Sequence, residues 1–269
     1  MTRVVVVTGG SDGIGAEMAR QLAAAHGSEV ALVLAARNAA PLDLVAGQCQ
    51  ALGAQTLAVA VDVGRQDDCR RLVRATTARF GRIDVLVNNA GRSAHALFEE
   101  VEDLAWYEEL MRVNLWGSVW CTQAALPYLK ASRGRIVAVS SLAGLVGVPG
   151  RTAYCASKFA MSGFFEALRA EVKEAGVSVT TAYPGVVATR IRYRGFNARG
   201  EQAGASALKE EKAMPVDECA RLIVRAMERR QREVVMTAQG KIGRWLKLVA
   251  PGLVERMALA AVKDDLRPR

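Results

Sequence analysis

Residues 4–15 read Val-Val-Val-Val-Thr-Gly-Gly-Ser-Asp-Gly-Ile-Gly, and this stretch decides the fold. The four valines predict a strand that is buried on both faces. The glycines allow a tight turn, and the amphipathic run from Ile14 to Ala25 predicts a helix directly after it. The N–H groups and the positive dipole at the start of such a helix attract a pyrophosphate. The stretch therefore predicts a dinucleotide-binding turn, with a purely structural glycine-rich turn as the alternative.

Runs of strand length and of helix length alternate from the first residues to about residue 236. This βαβ pattern predicts an α/β fold in which a Rossmann-type, doubly wound, mainly parallel sheet of seven strands is flanked by helices. The length of the chain fits one domain, 1–269. The candidate strands are Val4–Thr8, Val30–Ala35, Thr56–Val61, Val85–Asn88, Arg135–Ser140, Ser178–Tyr183 and Glu233–Met236. The candidate helices are Ile14–Ala25, Pro41–Leu52, Asp67–Phe80, Leu104–Lys130, Ala153–Ala175 and Val216–Arg229.

Two segments depart from this alternation. Residues 186–214 lack clear periodicity and follow the end of a strand, so we predict a substrate lid there. The basic side chains of this lid indicate either contact with an anionic group of the substrate or a solvated basic loop. Residues 241–262 are apolar with basic interruptions, which predicts a C-terminal extension of two amphipathic helices. Three roles are open to this extension: a lid over the pocket, a subunit interface, or peripheral contact with an anionic membrane.

Composition narrows the class of protein. The net charge is +9, but the basic residues are scattered without an arginine-rich arm, so nucleic-acid binding is not expected. The chain has two histidines, and its five cysteines form no C-x-x-C pair, so we expect neither a metal site nor a disulfide framework. The first residues reach Gly9 and Gly10 too soon for a secretion signal, and the sequence has no apolar run of about 18 residues, so we expect neither export nor a membrane span. The expected location is the cytoplasm, with peripheral membrane association as a further option.

The end of the second predicted strand bears on the cofactor, since it reads Ala36-Arg37-Asn38. An acidic side chain at this place hydrogen-bonds a ribose 2′-hydroxyl, whereas arginine accommodates a 2′-phosphate. A guanidinium suited to bidentate phosphate contact is present and an acid is absent, which favours NADP(H) over NAD(H). A surface role for Arg37 is the alternative.

Tyr154 and Lys158 form the candidate catalytic pair. They stand four residues apart and share one face of a predicted helix. A phenol in water has a pKa of about 10, and a neighbouring ammonium favours the phenolate, so that the group can exchange a proton closer to neutral pH. Ser140-Ser141 ends the fifth predicted strand, and Asn114 lies in the long helix before it. Taken alone, the pair is also explained by a buried tyrosine beside a solvated lysine.

Together these motifs resemble the short-chain dehydrogenase/reductase family, in particular its NADP-preferring, hydroxysteroid dehydrogenase-like branch. The Thr-Gly-x-x-x-Gly-x-Gly turn and the residues named above occur in family order over about residues 3–236. One departure is Asp12, because some NADP-preferring relatives carry an additional basic residue in this turn. The resemblance implies the following cofactor-binding residues: Gly9, Ser11, Asp12, Gly13, Ile14, Gly15, Arg37, Asn38, Asp62, Val63, Asn89, Ala90, Gly91, Tyr154, Lys158, Pro184, Gly185, Val187 and Thr189.

The resemblance also implies roles for the catalytic residues. Tyr154 would transfer a proton to or from the substrate oxygen while Ser141 hydrogen-bonds that oxygen. Lys158 would hold the nicotinamide ribose, and Asn114 would anchor a water chain that relays protons from it. No metal is needed for this chemistry.

The function implied by these roles is the NADP(H)-dependent interconversion of a ketone or aldehyde and an alcohol, on an apolar small molecule. A non-catalytic regulatory protein that senses NADP(H) is the alternative. Members of the family usually form dimers or tetramers, so we expect a homodimer or homotetramer that associates through the long helices Leu104–Lys130 and Ala153–Ala175.

Overall fold

The structure is a computed structural model that describes residues 2–204 and 213–262. In these ranges seven parallel strands form one sheet: β1 (Arg3–Thr8), β2 (Val30–Ala36), β3 (Gln55–Ala60), β4 (Val85–Asn88), β5 (Arg135–Val139), β6 (Ser178–Tyr183) and β7 (Glu233–Val235). Their order across the sheet is β3-β2-β1-β4-β5-β6-β7. The prediction of a Rossmann-type, doubly wound sheet is therefore confirmed.

Helices cover both faces of this sheet. The α-helices of the described residues are α1 (Gly13–His26), α2 (Ala39–Ala51), α3 (Gln66–Phe80), α4 (Ala105–Met111), α5 (Gly117–Ala131), α6 (Thr152–Glu171), α7 (Val216–Glu228), α8 (Ala238–Val249) and α9 (Pro251–Val262). Helices α1, α2 and α7 pack on one face, and α3, α5 and α6 pack on the other. Successive side chains of a strand point to opposite faces of the sheet, and the strands are continuous apolar runs, so both faces are apolar.

The valine run at the start of the chain shows this alternation directly. Val5 and Val7 belong to the core under α1, α2 and α7, whereas Val4 and Val6 belong to the core under α3, α5 and α6. All four side chains are at most 1% exposed. Because each fully buried valine contributes about 1.5–3 kcal/mol, this single strand anchors both layers of the core.

The long helix predicted over Leu104–Lys130 is present and runs without a break over 105–131, but it contains an irregular turn. Helix α4 passes into a π-helical turn, Arg112–Trp116, before α5 begins. The Gly117 N–H bonds the Arg112 carbonyl five residues earlier, which is the π pattern and inserts one extra residue into the helix. Asn114 lies inside this turn and is fully buried. Apolar periodicity predicted the helix but does not reveal such an insertion.

Other boundaries differ less. The helix predicted to reach Ala175 ends at Glu171, and the turn that follows closes at Gly176, whose φ of +73° suits glycine. Among the remaining elements up to residue 236 the largest difference is in α2, predicted as Pro41–Leu52 and observed as Ala39–Ala51.

The carboxyl ends of β1 and β4 meet at the topological switch point of the sheet. Strand β1 lies between β2 and β4, so the chain leaves β1 toward one edge of the sheet and returns on its other side. The loops that follow two such strands diverge and open a crevice, in which ligands of open α/β sheets bind. The glycine-rich turn follows β1, and the segment Asn89-Ala90-Gly91 follows β4.

The predicted lid, residues 186–214, is described up to residue 204 and again from residue 213. Its bridges connect Val187 with Met214 and Phe196 with Ala94. Phe196 is buried and joins the loop after β4, so this part of the segment is fixed at the carboxyl edge of the sheet. Lys209 and Lys212, which are part of the predicted lid, lie outside the described residues.

The C-terminal extension consists of α8 and α9, and it begins at Ala238, three residues before the predicted start at 241. Helix α8 packs against the loop after β5. Gly240 lies so close to Leu142 that a Cβ atom at position 240 would collide with the Leu142 side chain. Its Lys247 ammonium also donates to the Leu145 carbonyl. None of the described helices has the length and hydropathy that a membrane crossing requires.

The five cysteines are buried and unpaired. Burial raises the pKa of the Cys49 thiol to about 11 and that of the Cys219 thiol to about 12. Cys49 and Cys219 are therefore protonated small apolar residues of the core.

Candidate active site

The predicted catalytic pair lies in the first turns of α6, at the carboxyl edge of the sheet. Tyr154 is 7% exposed and Lys158 is 3% exposed. The Lys158 Nζ atom lies 5.8 Å from the centroid of the Tyr154 ring. The ring packs in an apolar cluster with Trp106 and Phe196. The structure thus brings a phenol and an ammonium together in a poorly solvated place.

The Lys158 ammonium donates a hydrogen bond of 2.9 Å to the Val139 carbonyl, at the end of β5. Burial, and next the positive charge of Arg151, lower the pKa of Lys158 from 10.5 to about 8. Lys158 therefore remains mainly an ammonium at neutral pH. The ammonium also donates to the weakly accepting Met161 sulfur at 3.8 Å, and its remaining N–H capacity is left for other partners.

The two serines after β5 differ in their surroundings. Ser140 is buried, and its hydroxyl lies within hydrogen-bond distance of the Lys158 carbonyl and of the Ser162 hydroxyl. Ser141 is half-buried, and its Oγ atom accepts a 3.2 Å hydrogen bond from the Ala143 N–H. The Ser141 hydroxyl keeps its own proton as a donor, whereas Ser140 serves the packing of α6. This difference favours Ser141 for a substrate contact, in line with the prediction.

Asn114 connects the loop after β4 with α6. Its Oδ1 atom accepts the Arg92 N–H at 2.8 Å, and its Nδ2 atom donates to the Arg92 carbonyl and to the Ser157 hydroxyl. These bonds fix the backbone one residue before Lys158. The described contacts give the Asn114 side chain this bracing role, while its part in a proton-relaying water chain stays a prediction.

The glycine-rich turn is held against the loop after β4. The Thr8 hydroxyl accepts the N–H groups of Asn89 and Ala90, both at 3.0 Å, and the Asn89 amide donates to the Thr8 carbonyl. A Cβ atom on Gly15 would collide with the Gly9 carbonyl and with the Asn89 amide. Only glycine fits at position 15, because the start of α1 approaches the turn so closely.

Asp12 begins α1 as its N-cap, and its Oδ1 atom accepts the Gly13 N–H at 2.8 Å. Its Oδ2 atom forms ion pairs with two residues of the predicted lid, at 3.1 Å from Arg190 and 3.0 Å from Arg194. The Asp12 side chain therefore joins the turn to the segment after β6. A carboxylate with these partners caps the helix and binds the segment after β6, while its contact with a cofactor stays a prediction.

The loop after β6 borders the same turn. A Cβ atom on Gly13 would lie 3.3 Å from the Thr189 side chain, so the two predicted cofactor loops touch. Val187 is buried. The Pro184 carbonyl accepts the Leu142 N–H, which joins this loop to the one that carries Ser141.

The remaining predicted cofactor residues line the carboxyl edge in different ways. Arg37 and Asn38 follow β2 and are exposed. Asp62 caps the loop after β3 by accepting the Gly64 N–H, and Val63 is buried. The residues that complete this set are placed as follows: Ser11 is half-buried in the turn, Ile14 packs on the core, Gly185 lies beside Thr237, and Gly91 lies beside Asn114 and Lys158.

These residues fit a dinucleotide. The turn has glycines at Gly9 and Gly13 with φ of +67° and +54°, a conformation that brings backbone N–H groups close to a phosphate. Gly91 places the loop after β4 beside Lys158, since a Cβ atom there would lie 3.6 Å from Nζ. The turn would hold the pyrophosphate, and Lys158 would hold the sugar next to the reacting ring.

Three residues of this site were given no role by the sequence. Thr8 entered only as the end of a predicted strand and the first residue of the Thr-Gly-x-x-x-Gly-x-Gly turn, Ser157 only as a residue of the predicted helix Ala153–Ala175, and Arg151 in no predicted element. The local sequence offers a signal for Thr8, because a polar residue ends an otherwise apolar strand. Ser157 bonds Asn114, 43 positions earlier, and Arg151 bonds Ser93 on the loop after β4, 58 positions earlier, so no local pattern reveals their roles.

A phosphate-binding turn at a switch point, beside a buried tyrosine and lysine, defines a dinucleotide-dependent oxidoreductase of the Rossmann type. Within residues 2–204 and 213–262, no group of three His, Cys, Asp or Glu side chains is arranged to hold a metal ion. The model of the short chain dehydrogenase family matches residues 3–199. The chain belongs to the short-chain dehydrogenase/reductase family and, within it, to the hydroxysteroid dehydrogenase-like branch.

Two plant proteins represent the similar sequences. The chain is 39% identical to 11-beta-hydroxysteroid dehydrogenase A of Sesamum indicum over 259 residues, which cover 94% of this chain and 73% of that protein. It is 36% identical to 11-beta-hydroxysteroid dehydrogenase 1A of Arabidopsis thaliana over 260 residues, with the same two shares.

Solved structures agree on the fold. An alcohol dehydrogenase from Thermococcus sibiricus, complexed with 5-hydroxy-NADP, superposes with a TM-score of 0.75 at 26% identity, covering 87% of this chain and 95% of that one. A putative short-chain alcohol dehydrogenase from Sinorhizobium meliloti gives a TM-score of 0.66 at 31% identity, covering 71% and 75%. Membership of this family makes the chain an oxidoreductase that acts on an alcohol or its carbonyl partner with a nicotinamide cofactor.

The buried ammonium predicts a pH-dependent stability. Because the pKa of Lys158 is about 8 in the folded protein and 10.5 in water, the folded state opposes its protonation below pH 8, and this penalty fades as the pH rises toward 10.5. We expect Lys158→Met to remove a penalty on the order of 3 kcal/mol at pH 7, less what is lost at the unpaired Val139 carbonyl. Denaturant unfolding of the protein without cofactor, at pH 7 and at pH 10, measures it.

The exposed Lys130 of α5 supplies the control. Lys130→Met should change the free energy of unfolding by nearly the same small amount at both pH values. A Lys158→Met effect that is equally independent of pH would contradict the assigned environment of Lys158.

Proposed function

We propose that the protein is an NADP(H)-dependent oxidoreductase that interconverts a ketone or aldehyde and an alcohol on an apolar substrate. The observation that carries this proposal is the buried Tyr154 phenol next to the Lys158 ammonium, at the edge of the sheet where the glycine-rich turn lies. The same edge carries Ser141 with a hydroxyl free to donate.

The residues divide the chemistry among them. A bound nicotinamide supplies or accepts the hydride. Tyr154 donates its proton to the substrate carbonyl oxygen during reduction, or takes the hydroxyl proton during oxidation. Ser141 hydrogen-bonds that oxygen and orients it. Lys158 favours the phenolate by its charge and holds the ribose with its remaining N–H donors.

The preference for NADP(H) over NAD(H) rests on Arg37. It is exposed directly after β2, and no acid stands beside it at Asn38 to bond a ribose 2′-hydroxyl. The carboxylate of Asp12, which would repel a 2′-phosphate, is offset by its ion pairs with Arg190 and Arg194. The NADP analogue held by the Thermococcus sibiricus neighbour agrees with this choice.

The apolar character of the substrate is inferred from the surroundings of Tyr154. Its ring lies in a cluster that includes Trp106, Leu110 and Phe196, and the last of these comes from the predicted lid. The plant relatives are named as hydroxysteroid dehydrogenases, which supports a lipophilic alcohol or ketone. A regulatory protein that only senses NADP(H) would show cofactor binding without turnover, and the experiment below separates the two.

Replacing Tyr154 by phenylalanine should abolish turnover while leaving NADPH binding within about twofold, because the proton donor is lost and the ring remains. Consumption of NADPH is followed by absorbance with steroid ketones, aromatic ketones and aliphatic aldehydes as substrates, for wild type and variant. Binding is measured by fluorescence titration. Turnover that survives in Tyr154→Phe would refute the assigned role, and NADPH binding without any turnover by wild type would favour the sensor.

Replacing Arg37 by aspartate should weaken NADPH binding about ten- to hundredfold, because a charged hydrogen bond to the 2′-phosphate contributes about 1.5–3 kcal/mol. NADH binding should stay the same or improve. Arg221→Asp changes charge equally at an exposed position in α7 and serves as the control. An equal loss of both cofactors in Arg37→Asp would mean that Arg37 has a structural role.

We propose a cytoplasmic location with reversible attachment to anionic membranes. The five buried, unpaired thiols suit a reducing compartment. On the extension, Ile242, Trp245 and Leu248 recur at helical spacing and are 62%, 63% and 72% exposed. Lys241, Arg244, Lys247 and Arg256 add positive charge to the same two helices, a combination that suits an anionic lipid surface.

Vesicle flotation tests this attachment. Wild type should float with vesicles of phosphatidylcholine and phosphatidylglycerol and should stay behind with phosphatidylcholine alone. Leu248→Asp should float several-fold less, since it places a charge in the contact face. Leu44→Asp alters a leucine of similar exposure, 64%, in α2 and should float like wild type. If wild type does not bind anionic vesicles, the attachment is refuted. The extension would then cover the pocket or form a subunit interface.

We also propose a homodimer or homotetramer. Trp116 is 48% exposed and stacks on Trp120 one turn later, and Tyr128 is exposed on the same helix. A stripe of large aromatic side chains on a surface helix suits a subunit contact. Light scattering of the purified protein gives the number of subunits, and a monomer would contradict the proposal.

A further inference from the structure

Arg151 lies immediately before α6, three residues ahead of Tyr154. Its guanidinium stacks on the Tyr154 ring, with Cζ 4.3 Å from the ring centroid. This is closer than the Lys158 Nζ atom, which lies 5.8 Å from the same centroid. The phenol of Tyr154 therefore has two cationic neighbours, one from each side in sequence.

The guanidinium is fixed by the loop that follows β4. Its Nη2 atom donates to the Ser93 hydroxyl at 2.7 Å and its Nε atom donates to the Ala94 carbonyl at 3.3 Å. The backbone next to it is also tied to this loop, since the Ala96 N–H donates to the Gly150 carbonyl at 2.8 Å. The planar fork of arginine can make these bonds and stack at once, which lysine cannot do.

The charges around this arginine favour the same conclusion. The groups that act on Arg151 are the Tyr154 phenol, the Cys155 thiol and Arg192 of the predicted lid, and none of these is a carboxylate. Arg151 in turn acts on Lys158 as a like charge. A guanidinium stays protonated when buried, so its charge is not neutralised by loss of a proton.

We propose that Arg151 is a positioning residue for Tyr154, which holds the phenol ring against the loop after β4 and adds a second positive charge that favours the phenolate. The proposal rests on the proposed function only for its catalytic consequence, because the ring contact and the charge are properties of the protein itself. A merely structural Arg151 would anchor the start of α6 without affecting the ionisation of Tyr154.

Ionisation of Tyr154 is measured without any substrate. Tyrosinate absorbance is followed against pH in full-length protein with NADP⁺ bound, and the same titration of Tyr154→Phe is subtracted, so that the difference belongs to Tyr154. Arg151→Gln keeps a side-chain donor but removes the charge. We expect its titration midpoint to rise by about one pH unit, because an opposite charge within a few ångströms shifts ionisation by this much or more.

Two further variants separate charge from structure. Arg151→Lys keeps the charge without the planar fork, so its midpoint should lie between those of wild type and Arg151→Gln. Arg169→Met, on the same helix, removes a guanidinium that donates to the Val179 carbonyl and to the Thr181 hydroxyl, away from the site. It should lower stability and leave the midpoint unchanged.

Where a substrate is identified, kcat of Arg151→Gln for alcohol oxidation at pH 7 should fall about tenfold and recover at higher pH.

Equal midpoints in wild type and Arg151→Gln would overturn the proposal, as would an equal rise in Arg169→Met. If Arg151→Gln does not fold, Arg151→Met, which also removes the charge, decides by the same titration: a raised midpoint supports the proposal and an unchanged one overturns it. These results are independent of the turnover assay, since a protein that reduces no carbonyl still titrates Tyr154. Failure of the proposed function and failure of this inference are therefore distinguishable.

Discussion

The Thr8 hydroxyl is the contact on which the rest of the site depends. It accepts the N–H groups of Asn89 and Ala90 and donates to the Val87 carbonyl, so one side chain joins the carboxyl ends of β1 and β4. The backbones meet too closely at this point for any residue but glycine at position 15. Because the crevice of a doubly wound sheet opens between these two strands, this contact determines where a dinucleotide can lie. The apolar layers on both faces then hold the two strands in register.

Polar side chains connect this junction to α6, the helix that carries Tyr154 and Lys158. The Asn114 side chain hydrogen-bonds the Arg92 backbone on the loop after β4 and the Ser157 hydroxyl on α6, next to Lys158. Asn114 lies in the π-helical turn and is fully buried. Both its amide oxygen and its amide nitrogen take part in these hydrogen bonds. Tyr154 and Lys158 are thus oriented relative to the cofactor crevice by bonds that do not involve the cofactor. Such preorganisation is what proton transfer at a fixed oxygen requires.

Most of the fold and the central residues of the site could be read from the sequence. The strands were recognisable because parallel strands buried on both faces are continuous apolar runs, as in Val4 to Val7. Tyr154 and Lys158 could be paired because four residues make about one helical turn. The π turn around Asn114 could not be read, since it leaves no mark on apolar periodicity. The contact of Arg151 with Ser93 joins residues 58 positions apart, and the ion pairs of Asp12 join it to Arg190 and Arg194 after β6. Such partners are chosen by tertiary structure, so the local sequence does not reveal them.

The buried cysteines have a consequence for the durability of the protein. Oxidants and electrophiles attack thiolates, and susceptibility follows thiolate character and exposure. With the pKa values of Cys49 and Cys219 raised to about 11 and about 12, both thiols are almost wholly protonated throughout the physiological range. Cys155 lies next to the tyrosine in sequence, but it too is buried, with a raised pKa and its sulfur engaged by the Val148 N–H. Burial therefore shields these thiols from the oxidants that attack exposed thiolates. Peroxide or thiol-directed toxicants that disable cysteine-dependent enzymes find no exposed target among these five thiols.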